Sequence, residues 1–205
     1  MFTEMSKRKY TLRRRAEQQE ETRARIVEAT AALHEELGAR ETTISAIADR
    51  AGVQRLTVYR HFPDDAALLA ACTAHWLADN PPPDPSSWQA LSSPAERTRH
   101  ALELLYAYYR RTQRMWSVSY RDVEDVAALQ VPMSDVEAYL DGIRNDLVAA
   151  WRGRGSAGPA LAATLGLAVR FQAWRLLSQQ GLTDAEMASL VLSWLAGADP
   201  EPTAG

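Results

Sequence analysis

The chain has 205 residues, of which 46% are hydrophobic, 24% charged and 8% aromatic, and its formal net charge is −3. This composition excludes collagen-like, fibrous and wholly disordered chains, and a chain this long buries about 70% of its unfolded surface without a disulfide or metal staple. A single cysteine, Cys72, leaves no internal disulfide, and the longest apolar runs fall far short of the ~18 residues of a membrane span. No apolar core follows the basic N-terminus, as a secretory signal would require, so a soluble cytoplasmic protein with no membrane partner is expected.

Charge is uneven along the chain. Residues 1–62 hold 12 Lys/Arg against 9 Asp/Glu, and the remaining residues hold 11 against 17. Lys7, Arg8, Lys9, Arg13, Arg14 and Arg15 set six cations within nine residues, with no acid among them. A flexible basic arm over 1–16 suits a polyanion such as DNA, and a solvated tail explains the same charges equally well.

Sustained alternation of period two is absent and Ala, Leu, Glu and Arg dominate, so the fold class is expected to be all-α. A first helix is predicted over 17–37, with Ile26, Thr30, Leu33 and Leu37 on one face and Gly38 as its stop. Thr42 and Thr43 offer a hydroxyl cap to a short second helix, in which Ile44, Ile47 and Ala48 face inward. Gly52 interrupts it, and Gln54 to Phe62 reads as a third helix ended by Pro63. Asp64 and Asp65 begin a fourth, running through Leu68, Leu69, Cys72 and Trp76. Four prolines within 79–87 forbid a continuous helix there. Ser93 and Pro94 then start a long helix carrying Leu102, Leu105, Tyr106 and Tyr109, and a break is expected near Pro132. Helices are predicted over 134–151, 159–179 and 183–196, the last opened by a capping box of Thr183 and Glu186. The expected layout is an arm over 1–16, a helix-turn-helix domain over 17–63, a larger helical domain over 64–196 and a flexible tail over 197–205.

Two short helices around a glycine turn form the most informative segment, from Ile44 to Phe62. Ala48 is small where helices must approach, Gly52 tolerates a positive φ, and Val53 and Val58 pack the second helix back on the first. This is the pattern of a helix-turn-helix, whose second helix enters the major groove, although an ordinary helical hairpin shares the spacing. Gln54, Arg55, Thr57, Tyr59, Arg60 and His61 weigh for DNA: they are hydrogen-bonding side chains with no acid among them. Gln54 and Arg55 open the helix and are taken as base readers, because an amide matches adenine and a guanidinium matches guanine bidentately.

Residues 26–69 resemble the DNA-binding domain of the TetR/AcrR bacterial transcriptional regulators. The resemblance rests on Ile26-Val-Glu-Ala-Thr-Ala-Ala-Leu33, Gly38, Thr42-Thr43, Ile47-Ala48, Ala51-Gly52-Val53, Thr57-Val-Tyr-Arg-His-Phe62 and Leu68-Leu69. It implies that Thr43 caps its helix and touches phosphate, and that Thr57, Tyr59 and His61 contact the DNA backbone. Two departures stand out. Leu56 replaces a residue that is often small and either meets a thymine methyl group or fills space; Asp65 replaces a phosphate-gripping lysine. The loss at Asp65 makes compensation by Arg13, Arg14 and Arg15 of the arm more attractive.

By the same resemblance the larger domain binds a small-molecule effector and forms a homodimer. A dimer also follows from geometry, since one short helix buries too little surface for tight specific binding. The expected interface is about residues 160–196, through Leu165, Val169, Trp174 and Leu177 and through Leu190, Trp194 and Leu195, some of which serve as internal core. Candidates for an effector pocket are Tyr106, Tyr109, Trp116, Tyr120, Trp151, Phe171 and Trp174, with plain core as the competing reading. Arg110, Arg111 and Arg114 read as a solvated face, and Asp122, Glu124 and Asp125 as a solvated acidic cluster. Gly153 to Gly158 matches a dinucleotide-binding spacing literally, but no strand precedes it, so an inter-helix loop is expected. No cofactor and no metal site are expected, and no catalytic constellation stands out. The function expected is a repressor released from a palindromic operator by an effector. An activator or architectural regulator without an effector stays open, and so does a helical enzyme.

Overall fold

The structure, a computed structural model, describes residues 2–152 and 158–198. Ten helices occupy the described residues and no strand is among them. Of the Gly-rich loop and the C-terminal tail, residues 153–157 and 199–205 lie outside the described residues.

Contacts divide the chain into two compact units. The first takes the residues up to Asn80 and adds Ser117–Pro132; the second takes Pro81–Trp116 and the residues from Met133 onward. The first unit contains α1 (Phe2–Leu37), α2 (Ile44–Ala51), α3 (Arg55–His61) and α4 (Asp65–Asp79). It also receives the end of α6 (Pro94–Asp122) and the start of α7 (Ala127–Arg152). Its core is built from Ile26 and Leu33 of α1, Ile47, Ala48 and Ala51 of α2, Val58 of α3, and Leu68, Leu69 and Cys72 of α4, all buried. Thr30 shares that core because its hydroxyl donates to the Ile26 carbonyl one turn back, at 2.7 Å. Leu37, expected on the same face, is 43% exposed.

Helix α1 begins at Phe2 rather than near residue 17. The segment lacks Gly and Pro throughout and is rich in Arg, Lys, Glu and Gln, so nothing in it interrupts a helix. An Arg13–Glu17 pair at 2.9 Å, one turn apart and exposed, adds a few tenths of a kcal/mol at most, about what such surface pairs give.

In the second unit, the proline-rich stretch runs into α5 (Ser86–Gln89), whose Trp88 is fully buried and donates its indole N–H to Asp146 at 3.1 Å. The stretch is tied down: Arg111 donates to the Pro81 carbonyl at 3.2 Å and the Tyr139 hydroxyl to that of Pro83. Helices α8 (Pro159–Ala168), α9 (Phe171–Ser178) and α10 (Asp184–Ala198) pack together, with Leu161, Leu165, Met187, Val191 and Leu195 inside.

Two further boundaries differ from the sequence reading. No break falls at Pro132, which lies inside α7; the turn is at 123–126, where the Asp122 carbonyl accepts the amides of both Asp125 and Val126 at 3.0 Å. The helix predicted over 159–179 is two helices, parted at Val169 and Arg170. Neither Gly nor Pro causes this break. The Tyr106 hydroxyl donates to the Ala168 carbonyl at 3.0 Å and the Tyr109 hydroxyl to that of Val169 at 2.8 Å, satisfying backbone groups a broken helix leaves open. Arg170 is drawn aside by Glu137 and Asp141 on α7. The capping box at Thr183 forms as read: Glu186 accepts from the Thr183 amide at 2.8 Å, and Thr183 accepts from the Glu186 amide at 3.3 Å.

Candidate nucleic-acid interface

The α2–α3 hairpin is fixed at three points. Thr43, extended at φ −102° and ψ 152°, caps α2 by accepting from the Ala46 amide at 3.2 Å. At the other end Gly52 takes φ 65°, a left-handed conformation in which its amide reaches back to Ala48 and Asp49. Arg50 then ties α2 to α1 by a bidentate pair with Glu36, both bonds 2.8 Å.

Helix α3 is only two turns long and inserts Val58 into the core, 1% exposed, with Phe62 closing its end at 3%. Anchoring Val58 turns Gln54, Arg55, Leu56, Tyr59 and Arg60 outward, all exposed, and leaves Thr57 and His61 half-buried at the edges. Gln54 sits at the N-cap position without using its side chain as a cap, so its amide is free to reach outward. Arg55 and Arg60 make no ion pair among the described residues. Burial first, then the positive charges of Arg60 and Arg23, lowers the His61 pKa and favours the neutral ring. Leu56 is 76% exposed, which removes the option that it fills space.

Two cations beside this surface were not read from the sequence. The Arg23 guanidinium lies 5.0 Å over the Phe62 ring, and Arg25 lies 3.8 Å from where a side chain at Gly52 would begin. They come from the middle of α1, and only the packing of α1 against the hairpin reveals them. Arg13, Arg14 and Arg15 are exposed on α1. Asp64 caps α4, its carboxylate accepting from the Ala67 amide at 2.7 Å, which accounts for one of the two acids after Pro63.

Within the acidic cluster at 122–125, Glu124 and Asp125 are exposed as expected, but Asp122 is not. Asp122 is fully buried and paired with Arg121 at 2.6 Å, and Asp125 pairs with Arg40 at 2.8 Å. Arg121 is the neighbour of Asp122 at the end of α6, whereas Arg40 comes from the turn after α1, far away in sequence. Among the described residues no three His, Cys, Asp or Glu side chains stand close enough to hold a metal ion, and no helix is long and apolar enough to cross a membrane.

Of the aromatic pocket candidates, Tyr109, Trp116, Phe171 and Trp174 converge in the second unit. Ring centroids lie 6.4 Å apart for Tyr109 and Trp116, 5.4 Å for Tyr109 and Phe171, and 5.8 Å for Tyr109 and Trp174. Tyr106 joins them through the α8–α9 break, and Tyr108, not singled out from the sequence, lies 6.0 Å from Tyr109. Trp151 stands elsewhere and donates to Thr98 at 3.1 Å, while Tyr120 belongs to the first unit. Arg110 is paired with Asp184 at 2.8 Å, and Arg111 lies 4.9 Å over the Tyr108 ring, so neither is simply solvated. The apolar stripes of 160–196 also divide: Leu165, Val169, Trp174 and Leu195 are internal core, whereas Leu167 and Leu176 are 58% and 62% exposed and Trp194 is 39% exposed.

An all-helical chain with an N-terminal helix-turn-helix and a larger C-terminal helical bundle is the class these features define. Residues 26–72 match the family of bacterial regulatory proteins of the tetR type. The helix-turn-helix segment of this chain is therefore of the tetR type, and the match covers residues 26–72 alone. The chain is similar to an uncharacterised HTH-type transcriptional regulator of Mycobacterium tuberculosis, with 39% identity over 59 residues, 29% of this chain and 31% of the relative. The match thus spans about a third of that relative's length. In fold it is similar to a TetR-like transcriptional regulator from Rhodococcus sp. RHA1, at TM-score 0.58 and 19% identity over 86% of this chain and 94% of that one. It is likewise similar to AibR, whose structure was solved with isovaleryl coenzyme A and operator DNA, at TM-score 0.59 and 18% identity over 88% and 98% of the two chains.

Proposed function

We propose that the protein is a sequence-specific DNA-binding transcriptional regulator that reads duplex DNA through the outward face of α3. One observation carries the reading: a two-turn helix anchored by buried Val58 exposes Gln54, Arg55, Leu56, Tyr59 and Arg60, with no acid and no ion pair on its two arginines among the described residues. Gln54 and Arg55 then read base edges, while Thr43, Thr57, Tyr59, Arg60 and His61 meet the phosphate backbone. Arg13, Arg14 and Arg15 add phosphate contacts from α1.

The regulator works as a homodimer on a palindromic operator with half-sites about 34 Å apart, since one α3 alone buries too little surface. Leu167, Leu176 and Trp194, exposed within residues 160–196, supply apolar surface for that contact. A small-molecule effector received near the aromatic cluster shifts the population toward conformers with the wrong half-site spacing, and the protein acts as a repressor. The fold shared with AibR, solved with both a small molecule and its operator, supports this arrangement. Selection of bound sequences from random duplex DNA tests it. Expected is an inverted repeat with about one helical turn between half-site centres. A protein that ignores every duplex at low ionic strength would sink the proposal.

A further inference from the structure

The turn between α1 and α2 is gripped from the end of α6, all within the first unit. Gly38 ends α1 at φ +90°, and its backbone is so close to the Arg121–Asp122 pair that an added Cβ would lie 2.1 Å from Arg121 Nη2 and 2.2 Å from Asp122 Oδ2. Arg121 donates to the last carbonyl of α1, Leu37, at 2.7 Å. Asp122 accepts from Arg121 Nε at 2.6 Å, from Arg121 Nη2 at 3.1 Å and from the Arg40 backbone amide at 3.1 Å. The Arg40 side chain adds a bond to Asp125 at 2.8 Å. Within the turn Thr42 donates to the Gly38 carbonyl at 2.7 Å, and the next residue, Thr43, is the cap of α2. Hydrogen bonds from the end of α6 therefore fix both sides of the short turn that leads into the cap of α2.

Apolar packing does not hold this turn by itself. Ala39, Thr42 and Ile44 line a cleft of about 130 Å³, shared with His34 and Val126, so its inner side is incompletely filled. Burial pushes the Asp122 carboxyl up, but the hydrogen bonds and charges of Arg121 and Arg40 outweigh burial and hold it below its usual range, ionised at neutral pH.

We propose that Arg121 and Asp122 are positioning residues for DNA reading: they fix the turn that aims α2 and α3, and do so without being part of the DNA-contacting face. This rests on the reading of α3 given above. Reading a base sequence requires the helix to be held at one angle, whereas non-specific attraction to phosphates does not. Loss of the clamp should therefore erode selective binding first.

The test uses the full-length protein carrying Asp122→Asn or Arg121→Gln, a duplex from the selection above and a scrambled duplex of equal length. Arg121 is half exposed, so its variant stays informative should Asp122→Asn fail to fold. Expected is a loss of about tenfold for the selected duplex, comparable to one mismatched base pair. Affinity for the scrambled duplex and the dependence on salt should stay unchanged. Without DNA, hydrogen exchange at the Arg40 and Ala46 amides should speed up in both variants. Selected-duplex affinity within twofold of the unmodified protein, or parallel loss on both duplexes, overturns the clamp. An unmodified protein that binds no duplex overturns the reading of α3 instead, and the exchange rates then still report on the clamp.

Discussion

The exposed face of α3 and the aromatic cluster around Tyr109 treat hydrogen-bonding groups in opposite ways. On α3, Arg55 and Arg60 extend into solvent unpaired among the described residues. Around Tyr109, the phenols of Tyr106 and Tyr109 are committed to the carbonyls of Ala168 and Val169, and Arg110 is committed to Asp184. Unpaired cations on a surface cost little in water and hold nothing together; buried phenols on a broken helix hold the fold. The two regions should therefore answer mutation differently, one through binding and the other through stability.

Removing a buried aromatic gives the largest effect. Trp174 is 1% exposed and packs on Tyr109 and Phe171, so Trp174→Ala should lose about 3–5 kcal/mol of stability in urea unfolding. A loss below ~1 kcal/mol would mean that the cluster is not close-packed core. The first unit has its own buried liability in His34, where burial lowers the pKa to about 4 against the partial opposition of Asp122. The unfolded chain takes up this proton near the ordinary value of 6.5 and the folded one refuses it until about 4. Stability is thus fully present above pH 6.5 and falls as the pH drops toward 4, by on the order of 3 kcal/mol. Urea unfolding across that window should show the fall, and His34→Gln should flatten it.

Arg55→Ala and Tyr59→Ala sit on the opposite side of the comparison. Each should weaken operator binding by ~1–3 kcal/mol in fluorescence anisotropy while stability moves by less than ~0.5 kcal/mol. If either change lowers stability and spares affinity, the contrast between the regions collapses. The smallest effect is expected at Cys72, buried 3.4 Å from the His34 ring, where burial pushes the thiol up to about 12. A disulfide reagent should label it slowly in the native protein and at once in denaturant; rapid native labelling would show that α4 opens readily.

Local features were legible in the sequence and distant ones were not. The hairpin was readable because its determinants lie within some twenty consecutive residues: the Thr43 cap, the Gly52 turn and the buried Val58. Asp122 was misread because its partner Arg40 lies 82 positions away, and a lone acid beside two others looks solvated when its neighbours in space are unknown. The break after Ala168 is likewise written outside its own segment, in two tyrosines on α6 and two acids on α7. In the last three helices apolar residues are too dense for periodicity to sort inner from outer. Leu165 is buried and Leu167 exposed with nothing in composition to separate them. Gly38 was correctly read as a helix stop, but the arginine and aspartate pressed against it were beyond the reach of any local pattern.

The phenols that close the α8–α9 break also limit what the aromatic cluster can say to a guest. The hydroxyls of Tyr106 and Tyr109 already donate their hydrogen bonds to the main chain, so a molecule lodged beside them meets ring faces and edges. The Tyr108 hydroxyl and the Trp174 indole N–H in the same neighbourhood are buried donors with no acceptor among the described residues. Discrimination among guests there would fall to outline and flatness, sharpened by an oxygen placed to meet one of those two donors.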